Sequence, residues 1–552
     1  MFDAENFTHF ITDIIDSDLK EGRVDKVATR FPPEPNGYLH IGSAKAIFVN
    51  YLAAKRYGGS FNLRYDDTNP SKEDNEYVES IYEDISWLTG EEPKNVFFGS
   101  DYFEKCYEYA VKLIKDGKAY VCDLSSDEMK EYRGTLTEPG KESPYRNRSV
   151  EENLKLFEEM RAGKYKDGEK TLRAKIDMAS PNINMRDPAI YRITRKHHHR
   201  QGDKWCIYPL YDYAHPLQDA IEGITHSCCS IEFENHRPLY DWVVENTGVP
   251  NKPHQYEFAR LNVTNVVMSK RYLRKLVEDK FVSGWDDPRM PTLSGLRRRG
   301  FTPTAIYDFI RRAGVAKTSS LVDHRLLDHC QRDELNRTAE RRIAVLDPVK
   351  VTVTNYEEGK TEYFKVPNRP QDENTDYREI PFTKTLYIDR SDFAEVPPPK
   401  FQRLTVGKEV RLMGSYIVRC DDIVKDENGV ITEILCTADL VSGNGNPFDG
   451  RKIKGTIHWI SASHAVPATF SLLEPLFNIE NTSEIAEGYD FEKYLTENSL
   501  VTVKGYVEPS LANALEDGGE RFQFVRTGYF IADKKSGAFI RTVTLKDGYK
   551  PE

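Results

Sequence analysis

The stretch "RFPPEPNGYLHIGSAKAIF" (residues 30–48) decides how the rest of the chain is read. It continues a short apolar run that begins at Val27, carries glycines at 37 and 42, and enters "AKAIFVNYLAAKRYGG". The apolar residues there recur at helical spacing, and two glycines close the segment. "SFNLRYDDT" then alternates apolar and polar side chains as a strand does. Strand, turn, helix, strand is the unit of a doubly wound parallel sheet. The helix start beyond the turn is suited to an anion, because its first N–H groups lack partners and its dipole favours negative charge. Gly37 and Gly42 permit close approach of backbone to a base or ribose, and His40 offers a donor to a phosphate oxygen. Many such corners hold Gly and His for packing alone, so the turn by itself names no function.

A second stretch, "VVMSKRYL" (residues 266–273), narrows the choice. Met268, Ser269 and Lys270 sit in a loop ahead of a basic helical segment. A lysine on such a loop can neutralise charge on a pentavalent phosphate during adenylyl transfer. One surface lysine is unremarkable; the two stretches together, in this order and about 225 residues apart, are hard to obtain by chance.

The bulk properties are those expected of a soluble globular protein, with 39% apolar and 30% charged residues. At 552 residues the chain exceeds one hydrophobic core. No apolar run approaches the roughly 18 residues that span a membrane, and the acidic N-terminus lacks a signal-peptide layout. Eight scattered cysteines, with only Cys228 and Cys229 adjacent, show no metal-ligand spacing and fit a reducing cytoplasm. The net charge of −11 argues against a polyanionic partner until residues 268–317 are counted: 12 Lys/Arg against 5 Asp/Glu, a local +7. That concentration reads equally as a solvated helical face or a nucleic-acid surface.

Along the chain the pattern changes four times. Residues 1–100 read as the first half of a Rossmann-type domain, 101–210 as an insertion, 211–262 as the second half, and 263–340 as a helical subdomain with the MSK loop. Residues 341–552, with short alternating strands such as "VKVTV" and "ITEILCTA", read as two β-barrels. The expected fold class is therefore α/β followed by all-β.

"PPEPNGYLHIGSAKA" and "VMSKR" resemble the two signature motifs of class I aminoacyl-tRNA synthetases, usually written HIGH and KMSKS. "LRYDDTNPSKEDNEYVESI", "YPLYDYAHPLQDAIEGITHS", "GWDDPRMPTLSGLRRRGF", "RIAVLDPVKV" and "GTIHWISASHA" resemble the glutaminyl-tRNA synthetase family in particular. The likeness runs from about residue 8 to the end with the motif order kept. It implies a Rossmann catalytic domain, an inserted acceptor-stem-binding domain, a helical subdomain and two anticodon-binding barrels. It also implies ATP with Mg²⁺ on its phosphates, L-glutamine and tRNA(Gln) as partners, and a monomer.

By this resemblance Pro33, Glu34, Pro35, Asn36, His40, Ile41, Gly42, Ser43, Ala44, Lys45 and Ala46 hold ATP at the helix start. Ser230, Arg260 and Leu261 touch adenosine, and Met268, Ser269 and Lys270 close over the phosphates. His40 and Lys270 are the expected catalytic pair. Ser43 stands where the motif has its second histidine, so a donor is kept but shortened.

For the amino acid, Asp66 is placed to pair with an α-ammonium and Arg30 to meet a carboxylate or carbonyl oxygen. The Tyr211 hydroxyl both donates and accepts, which suits an amide. Cys229, Phe233 and Gln255 match family pocket positions that are uncharged for glutamine, whereas a glutamate site needs a cation. For tRNA, Asn235 matches an acceptor-stem position, and Arg341, Gln523 and Arg526 match the middle anticodon base. Arg411 matches the first base, its usual basic companion replaced by Met413. "SGLRRRGF" is expected to follow tRNA phosphates. His197–His199 reads as a solvated or RNA-facing patch in preference to a metal site. A glutamate-specific synthetase and a non-catalytic tRNA binder are the competing readings.

Overall fold

The computed structural model describes residues 2–70, 74–443, 446–485 and 491–549. The decisive stretch folds as strand β1 (Ala28–Phe31), helix α1 (Ile41–Arg56) and strand β2 (Ser60–Tyr65), and β3 (Asn95–Phe98) follows a connecting helix. All three strands are parallel, with Arg30 opposite Asn62 and Leu63 opposite Val96. Two further parallel strands, β4 (His226–Ser230) and β5 (His254–Phe258), pair with each other. β4 lies on the free side of β1, where Thr225 N–H donates to Ala28 O at 2.9 Å. The order β3–β2–β1–β4–β5 reverses direction between β1 and β4, the crevice where doubly wound sheets bind ligands. β1 is buried throughout, as a parallel strand covered on both faces must be.

Between β3 and β4 the chain makes a four-stranded antiparallel sheet from residues 119–122, 171–174, 189–193 and 207–209. Its core of Phe157, Leu172, Tyr191 and Tyr208 is shared with helix α2 (Tyr211–Ile221) through Tyr213 and Leu217. α2 then leads directly into β4. Helices at residues 293–299, 303–313 and 324–338 pack on the catalytic sheet through Leu293, Phe309 and Leu327.

Among the described residues the expected β-rich half holds two seven-stranded sheets and a two-stranded hairpin of residues 362–367 and 377–382. One, built from residues 348–461, packs Phe382, Val351 and Trp459 inside; Val349, Val351 and Val353 point inward while Lys350 is exposed. The other uses residues 340–345 together with residues 466–544, around Phe470, Phe524, Phe530 and Phe539. The first sheet is thus an insertion within the second. Among the described residues no helix is long and apolar enough to cross a membrane.

The arginines of "SGLRRRGF" differ from expectation. Arg298 pairs with Asp533 at 2.9 Å, and Arg299 donates to Thr542 O at 3.1 Å and lies 3.8 Å from Asp328. They join the catalytic half to the second β-sheet, where desolvated partners outcompete solvent, and only Arg297 keeps a third of its side chain exposed. His198 likewise departs from the solvated reading. It is fully buried, its Nδ1 accepts from the N–H groups of Arg200 and Gln201 at 3.1 Å, and its Nε2 donates to Asp67 O at 2.6 Å. Both ring nitrogens are therefore occupied, and burial lowers its pKa. His199 reaches Asp67 Oδ2 at 3.1 Å, and Ser100 donates to both oxygens of that carboxylate. The cluster fastens the insertion to the end of β2; of the three histidines His197 alone is exposed, its Nδ1 3.2 Å from Asp203 Oδ1.

Candidate active site

At the β1–β4 crevice lies a cleft of about 920 Å³. One wall is the first turn of α1. His40 is the N-cap: its Nδ1 accepts from Gly42 N–H at 3.1 Å, and the Ser43 hydroxyl accepts from His40 N–H at 3.3 Å. This reciprocal pair is a capping box with histidine in the first place and serine in the fourth. Because Nδ1 accepts, the neutral imidazole carries its proton on Nε2. Burial, with Lys270 and Arg260 nearby, lowers the His40 pKa to about 4, so that tautomer holds at neutral pH. A Cβ on Gly42 would lie 2.9 Å from the His40 ring and 3.1 Å from Met268 Sδ, so only glycine lets the two signature stretches meet.

The turn is also held from behind. Ile41 N–H donates to Pro291 O at 2.9 Å, Leu293 N–H donates to Leu39 O at 2.8 Å, and Trp285 stacks on Tyr38 with ring planes 5° apart. The segment "GWDDPRMPT" thereby extends the turn as a short antiparallel bridge.

Facing it is helix α3 (Lys270–Glu278), preceded by Met268 and Ser269. Lys270 Nζ donates to Asn36 Oδ1, and Arg274 donates to Asn36 O at 2.8 Å. Asn36 was read as a nucleotide residue; the structure uses it to anchor the MSK loop. The loop's other side rests on the connection between strands 466–473 and 500–507 of the second β-sheet: Asn265 donates through its backbone to Glu480 O at 2.9 Å, and Thr482 donates to Val266 O at 2.8 Å.

Lys45 and Ala46 line the cleft floor with Ser230 and Leu261. Burial lowers the Lys45 pKa to about 8, and its ammonium lies 5.9 Å from the Phe258 ring. The Ser230 hydroxyl is buried with no hydrogen-bond partner among the described residues. Arg260 is held by Glu232. Of the other turn residues, Glu34 lines the cleft and accepts from Asn36, while Pro33 O accepts from Asp66 N–H at 2.9 Å. Pro33, Pro35, Ile41 and Ala44 shape the wall from behind and are absent from its lining.

The opposite end of the cleft holds Arg30, Asp66, Tyr211, Cys229 and Phe233. Burial raises the Asp66 pKa to about 6 against the Thr68 hydroxyl bond of 2.8 Å, so its carboxylate waits for a cation. Tyr211 presents a hydroxyl that bonds to none of the described residues, and burial pushes its pKa well above the usual phenol value. Its ring stacks on His215 at 4.9 Å and 17° and packs on Phe233 at 5.2 Å. The Cys229 thiol is kept protonated by burial.

Arg30 is more committed than expected. Nε donates to Asp219 Oδ1 at 3.2 Å and Nη1 to Cys228 O at 2.7 Å. Nη2 donates to Ser227 Oγ at 2.6 Å and to the His215 ring at 2.7 Å. Four of five guanidinium N–H groups are in use, leaving one on Nη1. Gln255 lies outside the cleft: its amide donates to Phe233 O at 3.0 Å and Glu257 Oε1 at 2.9 Å, which fixes the Phe233 backbone.

Sequence reasoning missed His215 and Asp219, although a signal existed. Tyr211, His215 and Asp219 recur every four residues and share one face of α2. Asp219 is fully buried and accepts from Arg30, Arg64 (2.7 Å), Ser227 (2.7 Å) and Tyr240 (2.9 Å). Burial alone would raise its pKa, but Arg30, His215 and Arg64 hold it well below the carboxylate range. His215, between two guanidinium groups and desolvated, has a pKa near 3.

Of the residues matched to tRNA, Arg341 and Gln523 are register partners on adjacent strands. Arg341 donates to Asn336 Oδ1 at 2.9 Å, and Gln523 donates to Tyr529 OH at 2.9 Å. Arg526 forms a two-pronged pair with Asp392 at 2.6 Å across the two sheets. Arg411 lies on the other sheet, and Asn235 is exposed, its carbonyl accepting from Asn182 and Asn184. The structure thus gathers three of the five near the junction of the sheets.

Known families fit this geometry. The model of tRNA synthetases class I (E and Q), catalytic domain, matches residues 26–337, and the anticodon-binding domain models of the same group match residues 339–439 and 456–533. The chain belongs to the class I (E and Q) tRNA synthetases. It is similar to a glutamine–tRNA ligase of Clostridium kluyveri, 57% identical over 100% of this chain and 99% of that protein. A glutamine–tRNA ligase of Clostridium perfringens is 55% identical over the full length of both, and one of Rhodopirellula baltica is 56% identical over 98% of this chain and 90% of that protein. The resemblance read from the signature stretches therefore holds at family level and extends over the whole sequence.

Proposed function

We propose that this synthetase activates L-glutamine with ATP and transfers the glutaminyl group to the 3′-terminal adenosine of tRNA(Gln), releasing pyrophosphate and then AMP. The observation that carries the reading is the closure of Lys270 onto Asn36 above the His40 helix start, in one cleft with Asp66 and Tyr211. Full-length identity to glutamine–tRNA ligases supports the same substrate.

In this reading ATP phosphates lie against the first turn of α1. His40 Nε2–H donates to a phosphate oxygen, while Lys45 and Lys270 balance the charge that grows as the glutamine carboxylate attacks the α-phosphate. An arriving triphosphate restores the full charge of Lys45. The unpartnered Ser230 hydroxyl and Leu261 receive the adenosine. Mg²⁺ would be held by the ATP phosphates and would offset part of their charge, since the cleft carboxylates Glu34, Asp66 and Glu232 are separately engaged or desolvated and supply no shared cage.

Asp66 pairs with the α-ammonium, which draws its pKa back down. The Tyr211 hydroxyl meets the side-chain amide. A glutamate carboxylate would find neutral Tyr211, Cys229 and His215 and a single arginine N–H, too little to repay desolvation. The tRNA contacts of Asn235, Arg341, Arg411, Gln523 and Arg526 belong to the same proposal, as do a monomeric state and a cytoplasmic setting, the latter supported by eight free thiols.

The test is ATP–pyrophosphate exchange with glutamine or glutamate, with and without tRNA. Exchange with glutamine that depends on tRNA is expected. No exchange under any condition refutes catalysis, and equal use of glutamate refutes the assigned specificity.

A further inference from the structure

The outer β-sheet carries a surface that none of the roles above uses. Two described residues that follow strand 431–438, Asn446 and Arg451, tie their segment to strand 409–412. Arg451 pairs with Glu409 at 2.9 Å and also with Asp439 at 2.8 Å, while Arg411 reaches Asn446 Oδ1 at 3.5 Å. Between these ties, Gly450 N–H donates to Pro447 O at 3.1 Å, closing a four-residue turn with Phe448 and Asp449 at its centre. Phe448 N–H is itself held by the Ser442 hydroxyl at 3.1 Å. The turn is fixed, yet the Phe448 ring is 88% exposed.

The charges around it are arranged by sign. The loop's acids, Asp439 and Asp449, and Glu409 of the strand all pair with one cation, Arg451, which ties them together and offsets one of their three charges. Lys452 and Lys454 alternate on the exposed side of the segment entering residues 456–457, which runs parallel beside Arg411, and Lys408 precedes the same strand. These three lysines form no ion pair among the described residues. A solvent-facing aromatic ring on a hydrogen-bonded turn, with three lysines outside any ion pair on the same segment and strand and the nearby acids gathered on Arg451, matches what single-stranded nucleic acid requires: a stacking platform with a basic track for the backbone.

We infer that Phe448 is a stacking platform for an unpaired base of the tRNA anticodon loop, with Lys408, Lys452 and Lys454 holding its phosphates. This rests on the proposed tRNA substrate and assigns it a contact on this chain. It also accounts for Met413. Where one of two basic side chains beside Arg411 is replaced by an apolar one that packs on the sheet core, the loop supplies a contact of another kind. Stacking is tolerant of base identity, so Phe448 contributes affinity while Arg411 discriminates.

The test uses the full-length enzyme in tRNA aminoacylation. F448A is expected to raise KM for tRNA about five- to 150-fold, the range for losing one base–aromatic stack, with kcat and the glutamine and ATP KM values unchanged. F448Y, which keeps the ring, restores the wild-type KM. F448W is expected to show a tRNA-dependent fluorescence change that the wild type lacks, and a K452A/K454A double variant a shallower salt dependence of tRNA binding. An unchanged KM for F448A overturns the inference, as does equal impairment of F448A and F448Y or a silent F448W at saturating tRNA. Wild-type charging activity, measured alongside, separates these outcomes from failure of the synthetase reading itself.

Discussion

Replacing Asp219 by asparagine tests how the proposed amino-acid pocket is kept neutral. The carboxylate is fully buried and accepts four donors, two of them guanidinium groups, at 2.7–3.2 Å. An amide has one acceptor oxygen and would direct an N–H toward another donor, leaving Arg30 and Arg64 undercompensated. Breaking a buried ion pair from one side costs about 3–5 kcal/mol. Glu222, 3.1 Å from Arg64, offsets part of this, so about 3 kcal/mol is the expected loss. At about 2 °C per kcal/mol for a large domain, the catalytic-domain transition should fall by roughly 6 °C in a thermal scan. The functional consequence is sharper. Arg30, released from Asp219, becomes an available cation beside Tyr211 and can pair with a carboxylate side chain. In pyrophosphate exchange D219N should show a raised glutamine KM, a little-changed ATP KM and newly measurable use of glutamate. A variant as stable as the wild type with the same preference for glutamine over glutamate would refute this account of the network.

Ser43→His should leave adenylation within about tenfold, or about 1.4 kcal/mol of barrier, because His40 and the helix start already supply donors; a thousandfold gain in exchange would mark Ser43 as disabling. Asp66→Asn should abolish glutamine activation yet raise the thermal midpoint at pH 8. A carboxyl whose folded pKa is raised to about 6 loses folded-state stability as pH rises above its unfolded value, and the amide escapes that penalty; an unchanged or lower midpoint would count against a desolvated Asp66. His9 and His40, lowered to about 4, and His215, lowered to about 3, each add stability that is complete above pH 6.5 and lost as pH falls toward those values. Denaturant midpoints measured between pH 7 and 4.5 should therefore decline, and H40N should flatten the curve.

The β1–α1–β2 unit was legible because strand and helix periodicities change within a few residues and glycines mark the joins. Lys270 was legible as chemistry, since its loop precedes a basic helix, but its partner Asn36 lies 234 positions earlier and nothing local points to it. The same distance hid the inward turn of Arg298, whose partner Asp533 follows 235 positions later. Charge runs read as surface until their counter-ions are located in space. His198 misled for a related reason: three consecutive histidines among Lys and Arg resemble a solvated patch, and only Asp67 and the backbone of Arg200 and Gln201 reveal a buried ring. Gln255 shows the limit of carrying over positions, which conveys neighbourhood and not contact.

The chain path through the β-sheets has a consequence for biosynthesis. Residues 340–345 contribute strands to a sheet whose other members begin only at residue 466, with the entire outer sheet made in between. During vectorial synthesis the outer sheet can fold as a closed unit while those first strands wait unpaired. The MSK loop depends on residues 477–482, which connect two strands of the late sheet, through Asn265 and Thr482. A nascent synthetase therefore emerges with its His40 turn formed and its lysine loop unsupported, competent in fold before it is competent in catalysis. Limited proteolysis of ribosome-bound chains should find the loop cleavable until residue 482 has cleared the exit tunnel, and protection at shorter lengths would contradict this order.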